Sequence, residues 1–390
     1  MLFDYNRNNK YFAQVQRRLE PIALEELIEL GASACTQSYC GVHFEADTPT
    51  LYRINYCART IIRVLAPLFH FNCPNEDVLY KNAYQFPWEE ILSVFTTFAI
   101  ESNVSNSRIN HSRFAALRLK DAIVDRFRNK FGKRPDIDTQ NPQIRLNLNI
   151  DEDRAIVSFD TSGESLHRRG YRLSSVEAPL QETLAAAILR ITRWNGEVPL
   201  IDPMCGSGTF LAEALMKYCN IPPAFKRNTF GFFNLPRFDR KLWNDIKREE
   251  DKKIRDLPPS LIAGSDIDPE AIKAASRNLK SLPGGIHVKL ETRDFQSLGK
   301  QENALILTNP PYGIRLKKPT DSPQKLYDLY KNLGDFFKKR CMQSTAYILC
   351  GEKELTKHIG LRISQRVPLF NGALDSRLVR INIYDSPKIP

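Results

Sequence analysis

The sequence predicts an α/β protein in which two small α+β domains precede a larger domain built on a mostly parallel, doubly wound sheet. From about residue 178 onward, apolar strand segments alternate with amphipathic helices, which is typical of a parallel sheet with helices on both faces. Before that point, strands and helices alternate irregularly over two shorter stretches. The chain has 390 residues, enough for two or three domains of about 100–200 residues each.

Local patterns predict the elements of the two N-terminal domains. The first domain, residues 1–62, alternates short strands with helices that carry an apolar stripe, and the second, residues 63–165, does so around one long helix. Predicted strands lie at 12–15, 41–45, 61–68, 97–101, 144–150 and 155–160, and predicted helices at 20–30, 48–55, 88–95 and 112–131.

In the third domain, residues 166–390, the predicted strands alternate with helices. Predicted strands lie at 198–201, 260–265, 304–308, 346–350, 366–370 and 378–384, and predicted helices at 179–192, 208–219, 269–279 and 326–340. The segment 221–259 is rich in Pro, Lys and Arg, which predicts an insertion between the first and second of these strands.

The composition is that of an ordinary globular protein, with 42% hydrophobic and 26% charged residues. The sequence has no charged start followed by an apolar run and no stretch of about 18 apolar residues, so we expect neither a signal peptide nor a membrane span. The eight cysteines form no C-x-x-C pair, which predicts reduced thiols in the cytoplasm and no metal site.

Basic residues outnumber acidic ones by 56 to 45, a net charge of +11, which favours a polyanionic partner. They concentrate at 108–134, where nine Lys or Arg accompany two Asp. A phosphate-contacting surface and a solvated helix face both explain this cluster, and charge alone leaves the two open. The LHRRGYR segment at 166–172 is likewise either a connector that contacts an anion or a plain linker.

The strongest cofactor motif is LIDPMCGSGTF at 200–210, where an apolar strand ends at Asp202 and a glycine-rich turn opens a helix. Ligands of such sheets bind at the carboxyl ends of the strands, and Gly206 and Gly208 let the backbone approach closely. No Lys follows as in a phosphate-binding P-loop, and Leu211 stands where a dinucleotide fingerprint needs a small residue. Because Asp202 would repel a pyrophosphate, the motif indicates a cationic ligand with an amino group and a sulfonium. A glycine-rich turn that binds no ligand is the alternative.

Two further acidic motifs follow along the chain. In LIAGSDIDPE, residues 261–270, Asp266 can accept hydrogen bonds from both hydroxyls of a ribose, while Asp268 is placed to cap the next helix. In ETRDFQSL, Asp294 can accept from an adenine amino group with Phe295 beside the ring, or can cap a turn.

The most specific motif is TNPPYGIRL at 308–316, after the apolar segment ALIL. The lone pair of an aromatic amino group is delocalised into its base, which makes the nitrogen a poor nucleophile. Asn309 offers a side-chain carbonyl and Pro310 a backbone carbonyl that can accept the two hydrogens, and Pro311 stiffens the turn. Tyr312 offers a flat face on which the base can stack. Methyl transfer then depends mainly on in-line positioning.

In this order the motifs resemble those of class I amino-methyltransferases, and the whole chain resembles the THUMP-containing guanine-N2 RNA methyltransferases of the RlmL-like kind. The resemblance implies an N-terminal ferredoxin-like domain, a THUMP RNA-binding domain and a Rossmann-like seven-stranded methyltransferase domain. It implies S-adenosylmethionine as the cofactor and RNA as the partner, with ribosomal RNA favoured over transfer RNA, and neither metal nor membrane.

The resemblance also assigns residues. Asp202 and the loop after it would hold the methionine part of the cofactor, Asp266 its ribose and Asp294 its adenine. The implied cofactor-binding set is Asp202, Pro203, Cys205, Gly206, Gly208, Thr209, Asp266, Ile267, Asp294, Phe295 and Asn309, and the implied catalytic set is Asn309, Pro310, Pro311 and Tyr312. Bifunctional members carry a second methyltransferase domain, and because this sequence ends at Pro390, only the N2 activity is expected.

Three other functions remain open on the sequence. A transfer RNA guanine-N2 methyltransferase would differ only in its RNA substrate. A DNA adenine-N6 methyltransferase would use the same N-P-P-Y motif, but such enzymes usually need a separate target-reading domain. A non-catalytic RNA-binding or assembly factor would keep the fold, although intact Asp202, Asp266 and Asn309 argue against it.

Overall fold

The computed structural model describes residues 3–174, 180–311 and 323–384. They fall into two units, and each unit draws on more than one stretch of the chain. Tyr312 and residues 178–179, which include the start of a predicted helix, lie outside the described residues. The first unit holds the described parts of Met1–Val15, Ala23–Leu166 and Arg227–Arg248, and the second those of Gln16–Ile22, His167–Lys226 and Glu249–Pro390.

The first unit is built on one mixed sheet. Its described strands are β1 (Lys10–Val15), β2 (Ser33–Ser38), β3 (Gly41–Glu45), β4 (Ile61–Asn72), β5 (Thr97–Ser105), β6 (Asp136–Ile137), β7 (Ile144–Asp151) and β8 (Arg154–Asp160). They lie in the order β2-β3-β1-β4-β8-β7-β5-β6, where β5 pairs in parallel with β6 and β7 and the other pairs are antiparallel. Strands from both predicted N-terminal domains therefore share one sheet.

The helices of this half begin and end at residues suited to those positions. They are α1 (Asp4–Asn8), α2 (Glu20–Glu29), α3 (Thr48–Cys57), α4 (Glu76–Gln85) and α5 (Ser112–Phe131). The side chains of Asp47 and Asn75 accept backbone amides of the first turns of α3 and α4. Gly132 ends α5 in a left-handed conformation with φ of 67°.

One predicted helix is wrong. Residues 88–95 hold only a 3-10 turn at Trp88–Glu90, and the helix of this region is α4, which the sequence reading missed. Trp88 is fully buried and its indole nitrogen donates to the Ala83 carbonyl of α4 at 2.7 Å. Trp88 therefore anchors α4 and does not belong to a helix of its own.

The second unit is built on a mostly parallel sheet, as predicted. Its described strands are β9 (Leu200–Asp202), β10 (Ile262–Asp266), β11 (Lys289–Thr292), β12 (Leu305–Thr308), β13 (Thr345–Cys350), β14 (Ile363–Asn371) and β15 (Leu374–Asn382). Their order is β11-β10-β9-β12-β13-β15-β14, with β15 antiparallel to both of its neighbours and the remaining pairs parallel. Strand order reverses at β9, between β10 and β12, and such a switch point is where ligands bind in these sheets.

Helices cover this sheet, which confirms the predicted fold class. Its described helices are α6 (Glu182–Ile191), α7 (Thr209–Tyr218), α9 (Pro269–Lys280), α10 (Pro323–Arg340) and α11 (Leu355–His358), whereas α8 (Arg240–Asp251) falls mostly in the first unit. Phe337 of α10 packs with Ile306 of β12 and Val379 of β15 in one apolar core. No helix in the described ranges has the length and apolar character needed to cross a membrane.

Part of the predicted insertion belongs to the first unit. Trp243 on α8 is buried, and its ring centroid lies 5.4 Å from that of Tyr56 and 5.3 Å from that of Phe232. Tyr52, one turn before Tyr56 on α3, stacks on Phe232 at 4.5 Å. Residues Arg227–Arg248 thus supply aromatic side chains to the core of the N-terminal unit.

Trp243→Ala should lower the free energy of unfolding of the first unit by about 3–5 kcal/mol, because it leaves a cavity against the aromatic rings of α3. Denaturant unfolding followed by circular dichroism measures this loss. Lys241→Ala, on the exposed side of the same helix, is the matched control. A transition that shifts no further for Trp243→Ala than for Lys241→Ala would contradict this packing.

Candidate active site

The loop between β9 and α7 turns tightly at the carboxyl end of the sheet. Gly206 and Gly208 have left-handed torsions, with φ of 53° and 80°, that residues with side chains adopt only at a cost. At Gly208, an added Cβ would lie 3.1 Å from the Ala275 Cβ on α9, so glycine permits this close approach. The Cys205 amide donates to the Ser265 carbonyl at 2.9 Å, which fixes the loop to β10.

Asp266, at the end of β10, joins this loop to the next strand. Its Oδ2 accepts the Gly206 amide at 2.9 Å and its Oδ1 accepts the Asp268 amide at 3.0 Å. Each oxygen keeps a second lone pair, so the carboxylate can still accept from ligand hydroxyls. Asp268 accepts the Glu270 amide at 2.9 Å and caps α9, as predicted.

Asp202 lies buried at the base of the loop. Only 2% of it is exposed, and its Oδ1 accepts the Met204 amide at 3.2 Å. Burial raises the pKa of this carboxyl to about 7, while the Met204 amide and the Thr308 hydroxyl act to lower the pKa and the nearby Asp266 acts to raise it. Asp202 therefore shapes the loop from within and gives the site a carboxyl that titrates near neutral pH.

Asp294 and Phe295 follow β11 in a short 3-10 turn. Asp294 Oδ1 accepts the Gln296 amide at 2.9 Å, so the turn-capping alternative is realised and the carboxylate is held in place. Phe295 is buried, and its ring packs edge-on against Phe336 of α10 at 5.7 Å. This packing connects the turn to the core of the unit.

Asn309 directly follows β12. Its side-chain oxygen, Oδ1, is buried and has no hydrogen-bond partner in the part of the chain that the structure describes. A buried carbonyl oxygen without a donor costs about 1–3 kcal/mol, so this atom is poised to accept from a ligand. Pro310 beside it is buried, and Pro311 is exposed.

These strand ends border a cavity of about 350 Å³. The predicted residues that line it are Pro203, Gly206, Asp266, Ile267, Asp294, Phe295, Asn309 and Pro311. Five predicted residues that the structure describes do not line the cavity: Asp202, Cys205, Gly208, Thr209 and Pro310. Residues from all four predicted motifs therefore border one cavity. The other predicted residues that the structure describes lie outside its lining.

The sequence reading missed three lining residues, Met204, Gln296 and Leu329. Met204 and Gln296 flank predicted residues within the motifs, so their position in sequence could have found them. Leu329 comes from α10, where the apolar stripe gives no sign that one member borders a cavity rather than the core.

Two arginines of the LHRRGYR segment, Arg169 and Arg172, contact carboxylates of the chain itself. Arg169 and Glu213 of α7 form a buried ion pair, with Nε and Oε1 3.3 Å apart. Arg172 donates to Glu182 of α6 at 2.8 Å and to the Thr209 hydroxyl at 3.2 Å. These two cations are therefore paired within the fold, with carboxylates of α6 and α7 behind the glycine loop.

The chemistry of the site follows from its acceptors. Carboxylates of Asp266 and Asp294 and the carbonyl of Asn309 border the cavity, so it suits a ligand that carries hydroxyl and amino donors. The buried carboxyl of Asp202 favours positive charge nearby. Within the described ranges, no cluster of His, Cys, Asp or Glu could hold a metal ion.

Models of three protein families match successive parts of the chain. Residues 169–380 match the RMKL-like methyltransferase domain, residues 73–160 the THUMP domain, and residues 10–65 the RlmL ferredoxin-like domain. The first match alone covers more than half of the chain and contains the cavity described above.

Individual relatives match over nearly the whole chain. A Synechocystis protein named "Putative RNA methyltransferase" is 40% identical over 377 residues, which are 96% of this chain and 97% of that protein. Ribosomal RNA large subunit methyltransferase K/L of Syntrophotalea carbinolica is 38% identical over 402 residues, which are 98% of this chain and 55% of that protein. The chain thus spans about half the length of this second relative.

A solved structure shares the fold. The crystal structure of SMU.472, described as "a putative methyltransferase complexed with SAH", superposes with a TM-score of 0.84 at 27% identity. The match covers 96% of this chain and 98% of that one. The fold described above therefore recurs in a putative methyltransferase that was crystallised with SAH.

Asp202→Asn should change how stability depends on pH. The fold raises the pKa of this carboxyl from 3.8 to about 7, so the folded chain holds the proton more tightly than the unfolded chain does. The stability due to this group is full below about pH 4 and is lost as the pH rises to about 7. The variant should escape this loss and gain at most roughly 4 kcal/mol relative to the wild type between about pH 4 and pH 8.

Thermal unfolding of the cofactor-free protein across that pH range measures the difference. Glu249→Gln, which changes an exposed carboxylate on α8, is the control. The assigned environment of Asp202 is refuted by parallel pH profiles for the wild type and Asp202→Asn.

Proposed function

The chain belongs to the RMKL-like methyltransferase family, and on this premise we propose that it methylates the exocyclic N2 of a guanine in large-subunit ribosomal RNA. It is an S-adenosylmethionine-dependent RNA methyltransferase with THUMP and RlmL ferredoxin-like domains. The guanine N2 as acceptor atom and the ribosomal source of the RNA are our proposals.

One observation carries the chemical proposal: among the residues that the structure describes, no donor reaches the buried Asn309 Oδ1 at the edge of the cavity. An exocyclic amino group entering the cavity would donate a hydrogen to this oxygen. That hydrogen bond removes the cost of the unpaired carbonyl and holds the amine at a fixed point of the site. A methyl-accepting carbon carries no hydrogen-bond donor for this oxygen and a thiol is only a weak donor, so the geometry favours an amine as the methyl acceptor.

The residues around the cavity fit S-adenosylmethionine. We propose that Asp266 accepts from its ribose hydroxyls and Asp294 from its adenine amino group, with Ile267 beside the base. The loop after β9 holds its methionine part, and the carboxyl of Asp202 favours the positive charge of that part. When bound, the cofactor supplies an electrophilic methyl group on its sulfonium.

The turn after β12 prepares the acceptor nitrogen. Asn309 Oδ1 accepts one amine hydrogen and the Pro310 carbonyl can accept the other, which draws the nitrogen toward a tetrahedral geometry and frees its lone pair. Pro310 and Pro311 have no backbone N–H, so the turn presents acceptors without competing donors. Stacking of the base on Tyr312 is part of the proposal and rests on the sequence alone.

The domain composition favours RNA over DNA as the substrate. The THUMP and RlmL ferredoxin-like matches occupy the part of the chain where a DNA enzyme would need a target-reading domain. The K/L relative acts, by its name, on large-subunit ribosomal RNA, which favours a ribosomal over a transfer RNA target. A ribosomal target agrees with the cytoplasmic location predicted from the sequence. The guanine must leave its stack to enter the cavity, at a cost of a few kcal/mol where it is paired.

Asn309→Ala should lower kcat for RNA methylation by about 10²–10³-fold, because the amine loses an acceptor needed in the transition state. The affinity for RNA should change little, since phosphate contacts supply most of it. Asn195→Ala, an exposed asparagine of the same unit, is the matched control. Turnover close to that of the wild type in Asn309→Ala would remove Asn309 from the reaction.

Nucleoside mass spectrometry of RNA from cells lacking the protein tests the acceptor and the RNA source. We expect N2-methylguanosine to fall in large-subunit ribosomal RNA and to stay constant in transfer RNA. Loss of the same nucleoside from transfer RNA would move the substrate, and loss of N6-methyladenine from DNA would refute the proposal.

A further inference from the structure

The basic stretch 108–134 is not a uniform cationic surface, because several of its cations form ion pairs with carboxylates of the chain. Arg126 donates to Glu89 at 2.7 and 2.9 Å, and this pairing lowers the pKa of Glu89 to about 2. Lys130 contacts the same carboxylate. Arg126, although part of the basic stretch, therefore serves to fix α5 rather than to bind a partner.

Two cations at the end of this stretch are different. Lys133 and Arg134 follow the αL residue Gly132, are exposed, and form no ion pair within the residues that the structure describes. They lead directly into β6, the edge strand of the first sheet. Asp136, the first residue of β6, is the exposed carboxylate nearest to them in sequence, and it leaves a net positive charge at this edge.

The most exposed phenylalanine among the described residues precedes the strand that pairs with β6. Strands β5 and β6 run in parallel with Thr97 opposite Asp136, so Phe95 and Arg134 each stand two residues before this pair. The Asp136 amide also donates to the Thr96 carbonyl at 3.3 Å, which keeps the two approaching segments side by side. Phe95 is 85% exposed, although burial of such an apolar ring is favourable.

A second aromatic ring is close in sequence to the same cations. Phe131, the last residue of α5, is 47% exposed and packs partly on Phe127. We call Phe95, Phe131, Lys133 and Arg134 together the edge tip. The edge tip combines exposed flat rings with cations that the fold does not use.

We propose that the edge tip binds an unpaired segment of the RNA substrate, with Phe95 stacking on a base and Lys133 and Arg134 contacting the flanking phosphates. This inference rests on the proposed function, because it states how the substrate of that reaction is held. Aromatic rings interleaved with cations are the general means of binding single strands, since every base has a flat face. Paired bases are already stacked inside their helix, so an exposed ring gains little from a duplex.

RNA fits the edge tip better than a protein partner does. The cores of protein interfaces are poor in lysine and depend on a contiguous apolar area. Here the exposed apolar side chains are few, and two cations precede β6, which pairs with the strand that follows Phe95. The net charge of +11 also favours a polyanion.

Fluorescence anisotropy with the full chain tests the inference, using a single-stranded RNA oligonucleotide of mixed sequence and a hairpin of the same length over a range of salt concentrations. Phe95→Ala should weaken binding of the single strand about tenfold at an unchanged salt slope, and Phe95→Trp should keep the wild-type affinity. Replacing both Lys133 and Arg134 with Ala should reduce the slope of log K against log salt by about 1.4, since each phosphate contact on a single strand contributes about 0.7.

Tyr39→Ala is the matched control, because Tyr39 is 75% exposed in the turn between β2 and β3, at the opposite edge of the same sheet. Calorimetric binding of S-adenosylmethionine should be the same in all variants, which shows that the second unit is intact. Wild-type RNA affinity in Phe95→Ala, an equal loss in Tyr39→Ala, or a loss confined to the hairpin would each overturn the inference.

Two further outcomes separate this inference from the proposed function. If the Phe95→Ala variant changes self-association in light scattering but not RNA affinity, a second copy occupies the edge tip and the inference is overturned while the proposed function stands. If the wild type binds the cofactor but neither binds nor methylates RNA, the proposed function itself fails and the inference with it.

Discussion

The hydrogen bond from the Gly206 amide to the Asp266 carboxylate joins the ends of two adjacent parallel strands, and the candidate active site is arranged around it. It requires the left-handed torsion at Gly206, which turns the amide toward β10. The same carboxylate borders the cavity, so one group both closes the loop and offers acceptors to a ligand. Because β12 lies on the other side of β9, the turn that begins at Asn309 opens at the same edge.

Two groups of the site are unfavourable for the fold considered alone. Asn309 Oδ1 is buried and meets no donor from the described ranges of the chain, and the carboxyl of Asp202 is buried deeply enough to raise its pKa to about 7. A ligand that donates hydrogen bonds and carries positive charge relieves both costs. Binding of such a ligand therefore also stabilises the folded state, by an amount set by its concentration relative to Kd.

The sequence predicted which strand ends meet at one cavity where the pattern is local, and it failed where a position depends on packing. Asp266 and Asn309 follow apolar strands directly, and parallel strands place such residues at one edge. By contrast, β2 is exposed along nearly its whole length, so no alternation marks it as a strand. The segment 88–95 looked helical because of Trp88, which is buried as an anchor rather than as part of a helix. No local pattern predicts that Arg169 forms an ion pair with Glu213.

The segment Arg227–Arg248 has a consequence for how the protein is made. Its rings complete the core around α3 of the N-terminal unit, yet they lie well after the end of that unit's main stretch at Leu166. During synthesis the first unit cannot close this part of its core until the ribosome has passed residue 248. A fragment cut near residue 166 would leave Tyr52 and Tyr56 without their ring partners and the other fragment with an uncovered aromatic helix face, an aggregation hazard for both.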